Sequence, residues 1–204
     1  MNKIVRSLPI LTLALASAPV FAQSSATADI GARLLRPMTI TKTADLEFGA
    51  IVVTEAAGVI QAGNVVLAPA TNAETATAST ALGTAGPIAA APQAASFTVS
   101  GSGGKNYKLY VTAGSVTLKN ASTAATITCG TFTASSTTGT VPATLPTGNP
   151  AATNAVMTAG TNRQSQTVKV GGTLSWATGL TDDGDYQASA VAGGSTFVVN
   201  AVYN

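Results

Sequence analysis

The sequence predicts an all-β fold, an antiparallel β-sandwich, and three observations lead there. Val, Thr, Ile and Phe recur in short runs broken by Gly, Asn and Pro. In the best-defined runs, above all residues 194–204, apolar and polar residues alternate with a period of two. No window carries a helical stripe. Glu occurs only as Glu47, Glu55 and Glu74, and strong helix formers other than Ala are scarce.

Residues 1–22 read as a cleaved secretory signal peptide. Lys3 and Arg6 form the basic region and Leu8 to Ala18 the apolar region. Val20-Phe-Ala22 precedes the expected cut before Gln23. The apolar run falls short of the ~20 residues that span a bilayer, so no transmembrane span is expected in residues 23–204. Those residues are expected to form a single β-sandwich domain with an N-terminal extension at 23–36.

The extension alternates. Ala26, Ala28, Ile30, Ala32 and Leu34 share one face, which predicts a strand with small apolar side chains. Met38 and Ile40 continue in register. Ala44-Asp45 is a turn, Leu46 and Phe48 point inward, and Gly49 breaks the run. Ile51–Val53 and Gly58–Ile60 predict a hairpin, and Val65–Leu67 a short strand. Residues 68–95 are rich in Ala, Thr and Pro and predict a long excursion with one weak strand near Thr80–Leu82.

Ser96–Ser100 resumes the alternation. Residues 101–106 read as a hairpin turn, returning Tyr107, Leu109 and Val111 on one face. Val116, Leu118, Ile127, Cys129 and Phe132 extend the sheet, and residues 134–160 form a second Pro-containing soft region. Thr167–Val170 and Thr173–Trp176 predict a strand interrupted by a bulge at Gly171-Gly172. In the last strand Phe197, Val199, Ala201 and Tyr203 are expected to face the core, while Val198, Asn200, Val202 and Asn204 are half wet.

Composition narrows the function. Lys3 and Arg6 belong to the signal, so the remaining basic residues balance the 8 acidic ones. With no basic stripe, nucleic-acid binding is not expected. Charged residues are 9% of the chain against 46% apolar. That balance suits a protein that packs against copies of itself.

Catalytic chemistry finds little support, and the expectation is a protein that is not an enzyme and carries no cofactor. The chain has no His, which removes Ser-His-Asp and Cys-His catalysis and the commonest zinc ligand. Ser102-Gly-Gly-Lys105 matches an S-x-x-K spacing but lies in a Gly-rich turn. Asp182, Asp183 and Asp185 lack the ligand spacing of a calcium loop. Asp45 and Glu47 share a solvent face. Trp176, Tyr107 and Tyr110 read as core before they read as a sugar platform. Cys129 has no partner for an internal disulfide and reads as a small buried hydrophobe, or as an intermolecular thiol.

Three stretches together resemble a family of secreted bacterial domains of unassigned function, often grouped with fimbrial proteins. They are Pro37-Met-Thr-Ile-Thr-Lys-Thr-Ala-Asp-Leu-Glu-Phe-Gly49, Ala94–Gly101 with Tyr107–Val111, and Val170–Leu174 with Gly184–Tyr186 and Phe197–Tyr203. The last strand, with its penultimate Tyr203, is also similar to that of chaperone–usher pilins. That resemblance implies an incomplete immunoglobulin-like, pilin-like sandwich. A periplasmic chaperone lends it a strand, an outer-membrane usher exports it, and the next subunit's N-terminal extension completes it. Ala26, Ala28, Ile30, Ala32 and Leu34 become the candidate donor face. Phe197, Val199, Ala201 and Tyr203 become the candidate assembly strand.

The expected function is a structural subunit of a fimbria- or pilus-like surface fibre, contributing to adhesion or biofilm. It would pass through the periplasm to the cell surface. The alternative is a self-complete monomeric module that binds glycan or matrix through loops near Asn72–Ala91 and Thr138–Asn154, with Ser24–Leu34 paired inside its own sandwich.

Overall fold

The computed structural model describes residues 27–77, 79–83, 91–120, 122–180, 184–188 and 195–203. The predicted signal peptide therefore lies outside the described residues, as do Ala26, Asp182 and Asp183. The chain divides into two units, Met1–Arg33 and Leu34–Asn204.

The described part of the first unit, residues 27–33, carries no strand and is exposed throughout. This corrects the strand expected from its alternation. A strand needs a partner for its ladder, and nothing among the described residues pairs with this one. Its small apolar side chains also offer little area to bury.

The second unit is all-β, with antiparallel sheets that curl into a half-barrel. Its described strands are β1 (Thr39–Ala44), β2 (Ala50–Val53), β3 (Glu55–Ala56), β4 (Val59–Ile60), β5 (Gly63–Leu67), β6 (Glu74–Thr77), β7 (Ser79–Gly83) and β8 (Ala95–Ser102). There follow β9 (Asn106–Val111), β10 (Ser115–Asn120), β11 (Thr126–Ser136), β12 (Ala155–Val156), β13 (Arg163–Trp176), β14 (Tyr186–Gln187) and β15 (Val199–Tyr203).

The large sheet has the order β1-β8-β13-β11-β10-β14, and β13 organises it. Along one edge, its first half pairs with β8 and its second half with β5, which pairs in turn with β6. Along the other edge it pairs with β11 over most of its length. From Gln166 on, every even position of β13 is buried (Gln166, Val168, Val170, Gly172, Leu174 and Trp176), and Gly171 is the one buried odd position, so the phase does not slip across the glycines. Gly171-Gly172 is therefore no bulge.

The irregularity falls instead on β11, between Gly130 and Thr133. There Thr131 adopts φ 47°, an uncommon conformation for a β-branched residue. The buried phase shifts across it, from Ile127 and Cys129 to Phe132 and Ala134. Gly171 answers a different need, because a Cβ there would overlap the Leu67 carbonyl oxygen where β8 gives way to β5.

The small sheet is β12-β9-β15. The turn after β8 therefore does not close a hairpin. β8 and β9 lie in different sheets, and the turn crosses between them. Gly103 N donates to Asn162 O at 3.0 Å and Gly104 N to Thr158 O at 2.9 Å, so the crossing is fastened to the loop before β13. The hairpin expected at 51–60 is also different. β2 pairs with β7, while β3 and β4 make their own tight turn through Ala57 (φ 52°) and Gly58 (φ 75°).

The large and small sheets share one core. β8 contributes Phe97 and Val99, β13 contributes Val168 and Val170, and β9 contributes Tyr107, Leu109 and Val111. Phe197 joins them at one end. It stacks on Phe132 with centroids 4.8 Å apart and meets Phe97 edge-on at 6.2 Å. The burial of Trp176 at the end of β13, with Nε1 donating to Gln61 O at 3.0 Å, makes it core.

Candidate assembly edge

β15 forms because its residues alternate and because β9 is available as a partner. Val199 lies opposite Val111, Ala201 opposite Leu109 and Tyr203 opposite Tyr107. Val199 is buried, Ala201 and Tyr203 are half-buried against the core, and Val198 and Val202 are exposed. The two faces separate as the alternation predicts.

The backbone has a second polarity. Thr112 N donates to Val198 O at 3.0 Å. In an antiparallel ladder, residues that bond toward one neighbour alternate with residues that bond toward the other. Val198, Asn200 and Val202 therefore turn their amides and carbonyls toward β9. Val199, Ala201 and Tyr203 turn theirs away.

The far side of β9 agrees with this phase. Asn154 Oδ1 accepts from Leu109 N and Asn154 Nδ2 donates to Leu109 O, both at 2.8 Å. Among the described residues no strand pairs with the outer edge of β15. An unpaired edge of this kind is a template for another strand.

At one end of this edge three segments meet. Ser102 N, at the end of β8, donates to Tyr203 Oη. Ser102 Oγ accepts from Arg36 N at 2.8 Å. Gly101 makes room, since a Cβ there would meet the Tyr203 hydroxyl. The root of the N-terminal extension is thus fastened beside the end of β15. Of the candidate donor residues, Ala28, Ile30, Ala32 and Leu34 are exposed, with Ile30 at 98% and Leu34 at 95%.

The other candidate residues are dispersed. The Ser102 hydroxyl holds the Arg36 amide, and Lys105 O accepts from Met157 N at 2.9 Å. Asp45 is bound by Lys42 Nζ at 2.6 Å. Glu47 titrates above the usual carboxylate range, first through partial burial and then through repulsion by Asp45. Tyr107 is fully buried, whereas Tyr110 is half-buried on the opposite face of β9. With Trp176 in the large sheet, these rings form no shared platform. The Cys129 thiol is buried, and burial pushes its pKa up to about 12.

The loop at 138–154 lies down on the body. Leu145 N donates to Phe132 O at 2.9 Å and Val111 N to Pro146 O at 3.0 Å. Sequence reasoning missed that Lys169 and Asn72 line one cavity. The available signal was Lys169 itself, a cation at an outward position between Val168 and Val170.

The family model described as "Domain of unknown function (DUF4402)" matches residues 38–203. The chain belongs to the DUF4402 family. The match begins one residue before β1 and ends on Tyr203, so this DUF4402 domain comprises both sheets and the free edge. No curated protein and no solved structure matches the chain. Among the described residues, no helix is long and apolar enough to cross a membrane.

Proposed function

We propose that this DUF4402 protein is an exported structural subunit of a bacterial surface fibre, assembled by β-strand addition. The observation that carries the reading is the outer edge of β15. Its Val199, Ala201 and Tyr203 backbone groups are paired with no strand among the described residues. The same chain carries an alternating apolar arm whose Ile30 and Leu34 are almost wholly exposed.

In the proposed fibre the arm of one copy lies along β15 of the next. Main-chain hydrogen bonds supply affinity, and alternate side chains supply register. A periplasmic chaperone would cover the edge before assembly, and an outer-membrane usher would pass subunits outward. The self-complete alternative requires the arm to pair within its own sandwich, and residues 27–34 do not form such a strand.

The test is export of the full chain and of a variant lacking residues 27–34, with negative-stain microscopy and denaturant-resistant multimers as readouts. Fibres from the full chain, and folded monomers from the deletion, are expected. Polymers from the deletion variant would refute the donor assignment. Monomers from the full chain at every concentration would refute the fibre.

A further inference from the structure

We propose that the cleft beside Lys169 is a binding site for an acidic saccharide, with Lys169 as the carboxylate anchor. The cavity has a volume of about 380 Å³, within the range of small-molecule sites. It is bounded by the end of β1 at Thr43 and Ala44, by Asn72, by residues 91–94, and by Ser96 and Lys169 on the sheet. The site does not depend on how subunits join, since none of these residues belongs to the arm or to β15.

The charge balance argues for an anion. Among the described residues, Lys169 is the only charged one lining the cavity. It is half-buried at an outward position of β13, opposite Ser96 on β8 and Ser135 on β11. Among the described residues its ammonium has neither a carboxylate nor a hydrogen-bond partner. The nearest carboxylates in sequence are engaged or lie outside the lining: Asp45 is held by Lys42, and Glu47 meets the wall through its backbone, exchanging hydrogen bonds with Gln93 at 2.8 Å. Glu74, two residues from Asn72, is not among the lining residues, while partial burial raises its pKa and so favours its neutral form. A half-buried cation without a partner favours an anionic ligand more than an exposed one would, because less water screens it.

The rest of the lining argues for a polyol. Asn72 is held in place by a left-handed backbone, φ 58°, and by its Oδ1 accepting from Ala94 N at 3.1 Å. That bond leaves the Asn72 amide NH₂ for a ligand. Thr43 Oγ1 donates to Ser96 O at 3.0 Å and keeps its acceptor lone pairs. Gln93 adds a further side-chain amide, and Ala44, Pro92 and Ala94 supply small apolar surface. Neutral donors and acceptors around one cation, over a small apolar floor, match the hydroxyls, carboxylate and C–H face of a hexuronic acid.

The cleft opens at the end of a hydroxyl-bearing face. Thr39, Ser100 and Ser165 form one row across β1, β8 and β13, and Thr41, Thr98 and Thr167 form the next. Ser100 and Ser165 hydroxyls lie 2.6 Å apart, and Arg163 donates to Thr39 Oγ1 at 2.9 Å. Further sugar units of an acidic chain would meet this face.

Calorimetric titration of the purified full chain tests the site, with glucuronate and glucose as probes. Glucuronate is expected to bind and glucose to bind at least tenfold more weakly. Lys169→Gln is expected to lower glucuronate affinity at least tenfold, whereas Lys108→Gln, on the small sheet, leaves it unchanged. Raising the salt concentration should weaken glucuronate binding in the parent and not in Lys169→Gln. No heat with glucuronate, equal binding of glucose, or an unaltered affinity in Lys169→Gln would each overturn the proposal.

Discussion

Gln166 Nε2 donates to the Tyr107 hydroxyl at 2.6 Å, joining β13 of the large sheet to β9 of the small one through the interior. Both side chains are almost wholly buried. Gln166 Oε1 also accepts from Thr158 N at 3.1 Å, so one amide satisfies two other buried or half-buried groups. Burial raises the Tyr107 pKa although this hydrogen bond opposes the rise, so the phenol stays neutral.

Gln166→Leu is therefore expected to cost about 2–3 kcal/mol, because a buried hydroxyl loses its partner. Adding Tyr107→Phe should recover part of that loss, since removing both polar groups costs less than orphaning one. Urea unfolding of the two single variants and the double variant measures the coupling. Strict additivity would contradict it.

The two adjacent glycines of β13 are expected to respond unequally. A Cβ on Gly171 overlaps the Leu67 carbonyl and crowds Pro69, so β5 must move. A Cβ on Gly172 meets the Cys129 sulfur, the Gly130 carbonyl and the Phe132 ring at 3.3 Å, which small shifts relieve. Gly171→Ala should lose about 3 kcal/mol or fail to fold, in line with overpacking. Gly172→Ala should lose roughly 1 kcal/mol. Thermal melts of both variants decide the order.

Proline scanning of β15 reads the direction of its amides. Ala201→Pro removes an amide that points away from β9, so the monomer should fold while fibre formation is lost. Asn200→Pro removes an amide that bonds toward β9 and should destabilise the monomer itself, since an interior ladder bond is broken. Circular dichroism with multimer analysis separates the two. Fibres from Ala201→Pro at the parent level would place assembly elsewhere.

Cys129 links stability to alkaline pH. Its thiol rises from 9.0 to about 12 on folding through burial. A group whose folded pKa is raised contributes stability below its unfolded value, and that contribution is lost as pH climbs through the folded value. Parent stability should therefore fall between about pH 9 and 12. Cys129→Ala should fall less steeply there, although it loses some packing at every pH. Labelling by a thiol reagent at pH 8 should be slow in the native protein and rapid in denaturant.

Much of the strand content was legible because burial on a sheet has a period of two. Phe97 and Val99, the Tyr107, Leu109 and Val111 set, and the face of Val199, Ala201 and Tyr203 are all buried or core-facing as their spacing implies. Even the β11 bulge left a trace, in the phase change from Ile127 and Cys129 to Phe132. Gly171-Gly172 misled because glycine marks close backbone approach as readily as a bulge. The cleft was illegible, since Asn72, Gln93 and Lys169 are far apart in the chain and come to one place only in the folded chain.

The amino-acid order alone determined the all-β class, the inward face of most strands and the small number of charges, because these follow from local alternation and composition. Partner choice was decided by the folded chain. β2 takes β7, β8 crosses to the other sheet from β9, and β13 shares one edge between β8 and β5. A residue's face depends on its immediate neighbours, whereas its ladder partner depends on which distant strand buries the most apolar area beside it without leaving amides unpaired. For β15 that selection filled one edge with β9 and left the other without a strand among the described residues.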